Sequence, residues 1–353
     1  MDASDVVDLL SSLLKEYSPS GREAGVAEHL RLWLSSCGSF DRVFIDEVGN
    51  VIALKGLGPY VLLCSHMDTV PGRIKVKRDD KELAGRGAVD AKSALAAMAM
   101  ASSEAVLGGA ENVMFAAVVR EEADGLGMQH VLSRGYKFRG AIFGEPTDTK
   151  KIAVGYRGRI GVTIRFQGKA SHASTPSLGR NAVEECMKHV LMLKAQLDNL
   201  GCTASITQVR GGLADNVIPP NCWTTIDIRV PVNVSLEAVR TAVSRMTKEG
   251  VNLSFTEQIP PISVGRSNEA YTAIAAALKS GGMVPRAVNK MGTSDMNQFY
   301  FRTGVPCVAY GPGDAALAHT DAEVVLVNDV KQAAEVYRAA LERMCACRKS
   351  KDI

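Results

Sequence analysis

Four short apolar runs, each closed by glycine or polar residues, constrain the fold of this chain more than any other feature. They are Val61-Leu62-Leu63-Cys64, Val113 to Val119, Ala141-Ile142-Phe143 and Val305 to Tyr310. A strand that is apolar on both faces belongs inside a sheet covered on both sides, which is the environment of parallel strands packed between helices. Between the first two runs lies DAKSALAAMAMASSEAVLGG, rich in alanine, leucine and methionine, starting at Asp90 and ending in Gly108-Gly109. Good helix formers closed by glycine predict a helix. Strand, helix, strand in that order implies a right-handed crossover and an open α/β sheet.

Near Tyr156 the pattern changes. In RIGVTIRFQG the residues Ile160, Val162, Ile164 and Phe166 alternate with polar or small ones, the period of a sheet with one wet face. A helical stretch from about Asn181 to Leu200 follows, then TASITQVRG, CWTTIDIRVP, a helix expected from Ser235 to Glu249, and VNLSFTEQ. The order βαββαβ predicts a ferredoxin-like unit of four antiparallel strands with two helices on one face. After Pro260-Pro261 the alanine-rich grammar resumes with EAYTAIAAALKSGG. The expectation is therefore an α/β catalytic domain, residues 1–155 and 264–353, with a mostly parallel sheet flanked by helices. A ferredoxin-like α+β domain is inserted at residues 156–263. A chain of 353 residues also exceeds what one core usually organises.

Composition narrows the function classes. A formal net charge of +3, with no basic patch, argues against nucleic acid as a partner. The opening MDASDVVDLL is acidic where a secretory signal is basic, and no apolar run is long enough to span a bilayer, so no membrane partner and a cytoplasmic location are expected. Eight cysteines without a C-x-x-C pair are not a disulfide scaffold or a zinc ribbon. Cys64, Cys186, Cys222 and Cys307 read as core residues, and Cys345 and Cys347 as part of a terminal helix fraying into solvent. GRGAVDAKS lacks the spacing of a phosphate-binding loop, and no G-x-G-x-x-G turn follows an early strand.

In open parallel sheets, ligands bind beyond the carboxyl ends of the strands. Metal-binding residue types cluster there in this chain. The first run leads into Ser65-His66-Met67-Asp68, the second into Arg120-Glu121-Glu122 and the third into Gly144-Glu145-Pro146. The last leads through GPGDAALA to His319, and Asp90 heads the crossover helix. Two imidazoles and several carboxylates suit zinc, cobalt or manganese better than copper or an iron–sulfur cluster. Two cations need a shared ligand, and a carboxylate such as Asp90 can bridge ions about 3.5 Å apart. His66 and Asp68 are two apart on an extended segment, which casts Asp68 as the carboxylate orienting an imidazole. In the Glu121-Glu122 pair one carboxylate can bind metal while the other moves a proton.

These residues fall in fragments that resemble the M20 metallopeptidase family: SHMDTVPG, GRGAVDAKSALAA, REEADGLG, GEPT, KASHAS, DNVIPP, MGTSDM and AHTDAE, in family order over nearly the whole chain. The resemblance implies an amidohydrolase with two divalent cations, zinc or alternatively cobalt. His66 and Glu145 would hold one, Glu122 and His319 the other, with Asp90 bridging and Glu121 as general base. It implies a homodimer through the inserted domain, with His172 of KASHAS, at the end of an edge-type strand, completing the partner's site. Asn216 and Arg229 match substrate-contacting positions. An arginine fork suits a substrate carboxylate. The short length with GYRGRIG, MGTSDMNQF and YGPGDAALAHTDAE is most similar to the branch that frees lysine or ornithine from an acidic amino-group carrier protein. Acetylornithine or acetyl-lysine deacetylase, succinyl-diaminopimelate desuccinylase, a dipeptidase and a catalytically silent paralogue stay open.

Overall fold

The computed structural model describes residues 4–245 and 249–346. The chain divides into two compact units, one formed by Met1–Val154, Val264–Val288 and Ser294–Ile353, the other by Gly155–Ser263 and Asn289–Thr293.

The larger unit is built on a mixed sheet. Four strands at its centre, Val113–Val118, Tyr60–His66, Phe138–Gly144 and Cys307–Tyr310, lie side by side and parallel. Their residues are almost all buried, as continuous apolar runs require. The last begins only at Cys307, after Pro306, whose carbonyl accepts the Ala141 amide. Val51–Lys55 and then Arg42–Ile45 extend one side antiparallel. Val51, Ile52, Ala53 and Leu54 are all buried, so the antiparallel direction left no alternating pattern in the sequence.

The helix Lys92–Leu107 runs across this sheet and is buried along nearly its whole length. Its alanines allow a close approach: a side chain on Gly144 would meet Ser65 Cβ at 2.8 Å and Ala94 Cβ at 3.0 Å, and one on Gly311 would meet Ala94 Cβ at 3.1 Å. The helix Val327–Ala346 packs against it. A small antiparallel sheet, Lys77–Arg78, Glu82–Ala84 and Val324–Leu326, lies apart from the main one.

In the smaller unit four antiparallel strands run in the order Thr203–Gly211, Asn221–Val230, Gly158–Gln167, Val251–Ile259. The helices Ala182–Asn199 and Leu236–Ser244 bury one apolar face of the sheet, with Ile160, Val162, Ile164, Leu193 and Val239 in a single core. Asn181 and Ser235 start these helices by accepting amide hydrogens from Val183 and Ala238, which satisfies donors the first turn leaves unpaired. The second helix ends at Ser244, short of the expected Glu249. Residues 246–248 lie outside those described. Gly158–Gln167 is an interior strand, not the edge strand its sequence implied, because Asn221–Val230 and Val251–Ile259 flank it.

Cys64, Cys186, Cys222 and Cys307 are buried free thiols. Cys345 is held in the last helix, partly buried, and burial pushes its thiol up to about 11 against the influence of Arg139. It does not fray into solvent, and Cys347 lies outside the described residues. Among the described residues no helix is long and apolar enough to cross a membrane.

Candidate metal centre

His66 closes the strand Tyr60–His66 and is 1% exposed. Its Nδ1 lies 2.9 Å from the main-chain oxygen of Asp68 and its Nε2 lies 3.0 Å from Asp90 Oδ1. A carbonyl accepts only, so Nδ1 carries a proton and Nε2 of the neutral ring is left as a ligand atom. Asp90 stands just ahead of the helix Lys92–Leu107. Its other oxygen, Oδ2, lies 3.3 Å from His319 Nε2, which in turn is 2.8 Å from Glu122 Oε1. One carboxylate thus sits between two imidazoles, one facing each oxygen. Ligand atoms of His66, Asp90 and Glu122 all fall within 4.8 Å of one another. Imidazole nitrogen and carboxylate oxygen are the donors a divalent cation such as zinc takes, so the residues present fit such an ion.

The geometry of Glu121 and Glu122 comes from Asp68. That residue is fully buried, and its carboxylate accepts the Ser20 hydroxyl at 2.7 Å and the amides of Glu121 and Glu122 at 3.0 and 3.1 Å. Its nearest carboxylate oxygen is 3.6 Å from His66 Nδ1. Asp68 therefore orients the imidazole with its carbonyl, and the two glutamates with its carboxylate. Arg120, at φ 60, turns the chain sharply after the strand Val113–Val118. Glu145 follows the strand Phe138–Gly144, and its amide donates to the Tyr310 carbonyl at 3.2 Å.

The charges of the site perturb each other strongly. Burial raises the Glu121 carboxyl well above the usual range, and the charges of Glu145, Asp295 and Glu122 add to this against His66. Burial also raises Glu122. Burial opposes ionisation of Asp90, yet its hydrogen bonds to His319 and His66 hold it below the ordinary value. Hydrogen bonds to Asp90 and Glu122 raise the His319 imidazole to about 10. For His66, burial is outweighed by Asp68 and Asp90, and its value lies well above 6.5.

Three residues at this site had no individual role in the sequence reading. Asp295 begins the helix Asp295–Thr303, capped by Ser294. It is buried, and burial raises it to about 7. Its only sequence signal was membership of the MGTSDM fragment. Arg86 and Glu323 form a buried ion pair at 2.9 Å beside the loops of Asp90 and His319. They fall in the GRGAVDAKSALAA and AHTDAE fragments, but nothing local in the sequence pairs them, since they are 237 positions apart.

The smaller unit holds the other three expected site residues. His172 pairs with Val217 in an isolated bridge, and the Ala173 amide donates to Asn216 O at 2.9 Å, so His172 and Asn216 lie together. His172 Nδ1 accepts the Ser174 amide at 3.2 Å. In the neutral ring the proton then resides on Nε2, which makes that atom a donor. Arg229 is elsewhere on the strand Asn221–Val230, with its Nε 2.7 Å from Asp227 Oδ1. Arg159 Nε lies 2.6 Å from the second oxygen of the same carboxylate.

A profile of peptidase family M20/M25/M40 matches residues 62–343. A Saccharolobus solfataricus protein named LysW-lysine/LysW-ornithine hydrolase is 30% identical over 338 residues, covering 96% of this chain and 95% of that protein. A Pyrobaculum aerophilum relative, provisionally given the same name, is 36% identical over 346 residues, covering 96% and 98%. Among solved structures, a tripeptidase from Staphylococcus aureus superposes with a TM-score of 0.82 at 23% identity, covering 97% of this chain and 99% of that one. The aminopeptidase PepT from Bacillus cereus gives a TM-score of 0.80 at 21% identity, with the same coverage. These structural likenesses extend to the fold.

Proposed function

The chain belongs to peptidase family M20/M25/M40, and from that membership we propose that it is a two-cation amidohydrolase that releases lysine or ornithine from a carrier protein. That it is a hydrolase of amide bonds follows from the family and from its named relatives. The observation that carries the two-cation reading is Asp90, whose two oxygens face His66 and His319 separately. His66 and Glu145 would hold one cation, Glu122 and His319 the other, and Asp90 both, with zinc as the natural ion and cobalt as an alternative. Such ions polarise an amide carbonyl and make water acidic enough to react near neutral pH.

The chain's own groups do the rest. Glu121, held by its amide to Asp68, takes a proton from the attacking water and delivers it to the leaving amine. Burial makes it hold a proton more tightly than an ordinary carboxylate does, which suits a group that must take a proton before giving it. His172 would offer its Nε2 proton to the developing oxyanion of a second subunit. Support for a dimer comes from the smaller unit itself. Met187 and Leu191 on the helix Ala182–Asn199 are 60% and 67% exposed, and the edge strand Thr203–Gly211 exposes Ile206 and Val209. An apolar row beside a free strand edge is a surface that self-pairing would cover. Asn216 and Arg229 would contact the substrate, Arg229 through whatever its pairing with Asp227 leaves free.

The substrate reading rests on relatives that match over almost their whole length. An acidic carrier also has a surface to meet in the larger unit, where Arg73, Lys75 and Lys77 are exposed on one segment, a small basic cluster where the sequence reading found no basic patch, and one that favours encounter with an acidic protein. The test compares three substrates with zinc or cobalt present: an N-acyl-lysine, a dipeptide, and a carrier protein charged with lysine. Preferential release of lysine from the carrier supports the proposal. Preference for the dipeptide moves the chain to the peptidases of the family, and preference for the acyl-lysine to the deacetylases.

A further inference from the structure

The buried pair Arg86 and Glu323 joins the two segments that flank the candidate metal centre. One oxygen of Glu323 accepts the His319 amide at 3.1 Å and Arg86 Nη1 at 2.9 Å. The other accepts the Gly87 amide at 2.6 Å, with the Val89 amide at 3.5 Å. Arg86 also donates to the Gly72 carbonyl at 2.7 Å and the Thr320 carbonyl at 2.9 Å. Glu323 is 1% exposed and Arg86 5%. A single carboxylate therefore grips the loop that ends in Asp90 and the backbone of His319 at once.

His319 needs such a grip. Its φ of 66 places a non-glycine residue in the left-handed region, which an unrestrained loop would leave. Asp90 does not depend on the clamp to the same degree, because its Oδ1 is also fixed by His66 at 3.0 Å. His66 in turn is set by its own strand and by Asp68.

We propose that Arg86 and Glu323 are positioning residues that set the affinity for the cation that His319, Glu122 and Asp90 would hold, and leave the His66 side of Asp90 largely unaffected. This rests on the two-cation reading above. Removing the carboxylate frees His319 to swing away from Asp90, so the second cation is lost before the first. A merely structural pair would, on removal, weaken both cations together or neither.

The test is calorimetric titration of cation-free protein with zinc, and with cobalt followed by its visible absorption, for wild type, Glu323→Gln and Arg86→Lys. Arg86→Lys keeps the buried positive charge and removes the fork, so it guards against a failure of Glu323→Gln to fold. Wild type should take up two cations in resolvable steps. In both variants the first step should be unchanged, and the second weakened at least about tenfold, more in Glu323→Gln, a size that losing charge-assisted hydrogen bonds makes reasonable. The cobalt absorption belonging to the second equivalent should shift or fade. Two steps of wild-type affinity in a folded variant overturn the inference and leave the two-cation reading standing, as does equal weakening of both steps. Uptake of one cation by wild type overturns that reading, and this inference with it.

Discussion

Glu121 and Glu122 are neighbours, and the main chain makes them different. Asp68 holds both amides, while Glu122 alone meets His319. The glutamine variant Glu121→Gln should therefore lower turnover by about 10² to 10⁴-fold with cation content unchanged, which elemental analysis and single-turnover kinetics can check together. Asp90→Ala should instead lower the content of both cations, since each oxygen of Asp90 faces a different imidazole. A second expectation concerns protons. In the cation-free protein His319, raised to about 10, carries a charge near pH 7. A ligating imidazole is neutral, so cation uptake should expel the His319 proton. Apparent affinity then rises with pH up to the region of 10, and falls below it. Calorimetry in two buffers of different ionisation heat measures the number released. Uptake without proton release would mean that the His319 imidazole does not ligate.

The element that sets the spacing of the site is the helix Lys92–Leu107, whose Ala94 lies over Gly144 and Gly311. Gly144 immediately precedes Glu145, and a methyl group there would fall 2.8 Å from Ser65 Cβ. Neither Ser65 nor Ala94 has a flexible end that could give way. Gly144→Ala should destabilise the fold by about 1–3 kcal/mol, the usual cost of overpacking, read as a lower urea midpoint at unchanged slope. Strands of this sheet were legible in the sequence as runs apolar on both faces, and the central helix as an alanine-rich run closed by glycine. The antiparallel strand Val51–Lys55 was not, because burial on both faces erases the alternation that distinguishes direction. The interior place of Gly158–Gln167 is hidden for a related reason: alternation reports one wet face and carries no information on how many neighbours a strand has.

For the molecule as a whole, the proposed pairing through the smaller unit would give a dimer a part in the chemistry. His172→Ala should lower turnover by about 10² to 10³-fold, as loss of an oxyanion donor does. Mixing inactive Glu121→Gln and His172→Ala proteins and letting subunits exchange should restore partial activity, because one of the two sites of a heterodimer then has both wild-type groups. Native mass spectrometry checks that heterodimers formed. If they form and stay inactive, His172 does not act across the interface.

The sequence by itself determined the α/β class, the change of pattern near Tyr156 and the placement of His66, Glu121 and Glu145 just beyond buried runs. Each of these is a local property, fixed by side-chain period and helix propensity over ten or twenty residues. Only the tertiary structure decided that Asp90 turns one oxygen to each imidazole, that Asp68 holds the glutamates by its carboxylate and His66 by its carbonyl, and that Asp295 is buried among these charges. It alone joined Arg86 to Glu323. Apart from the Asp68 carbonyl, two residues from His66, those contacts link positions 24 to 237 apart, and their geometry depends on how closely a helix of small residues lets the strand ends converge.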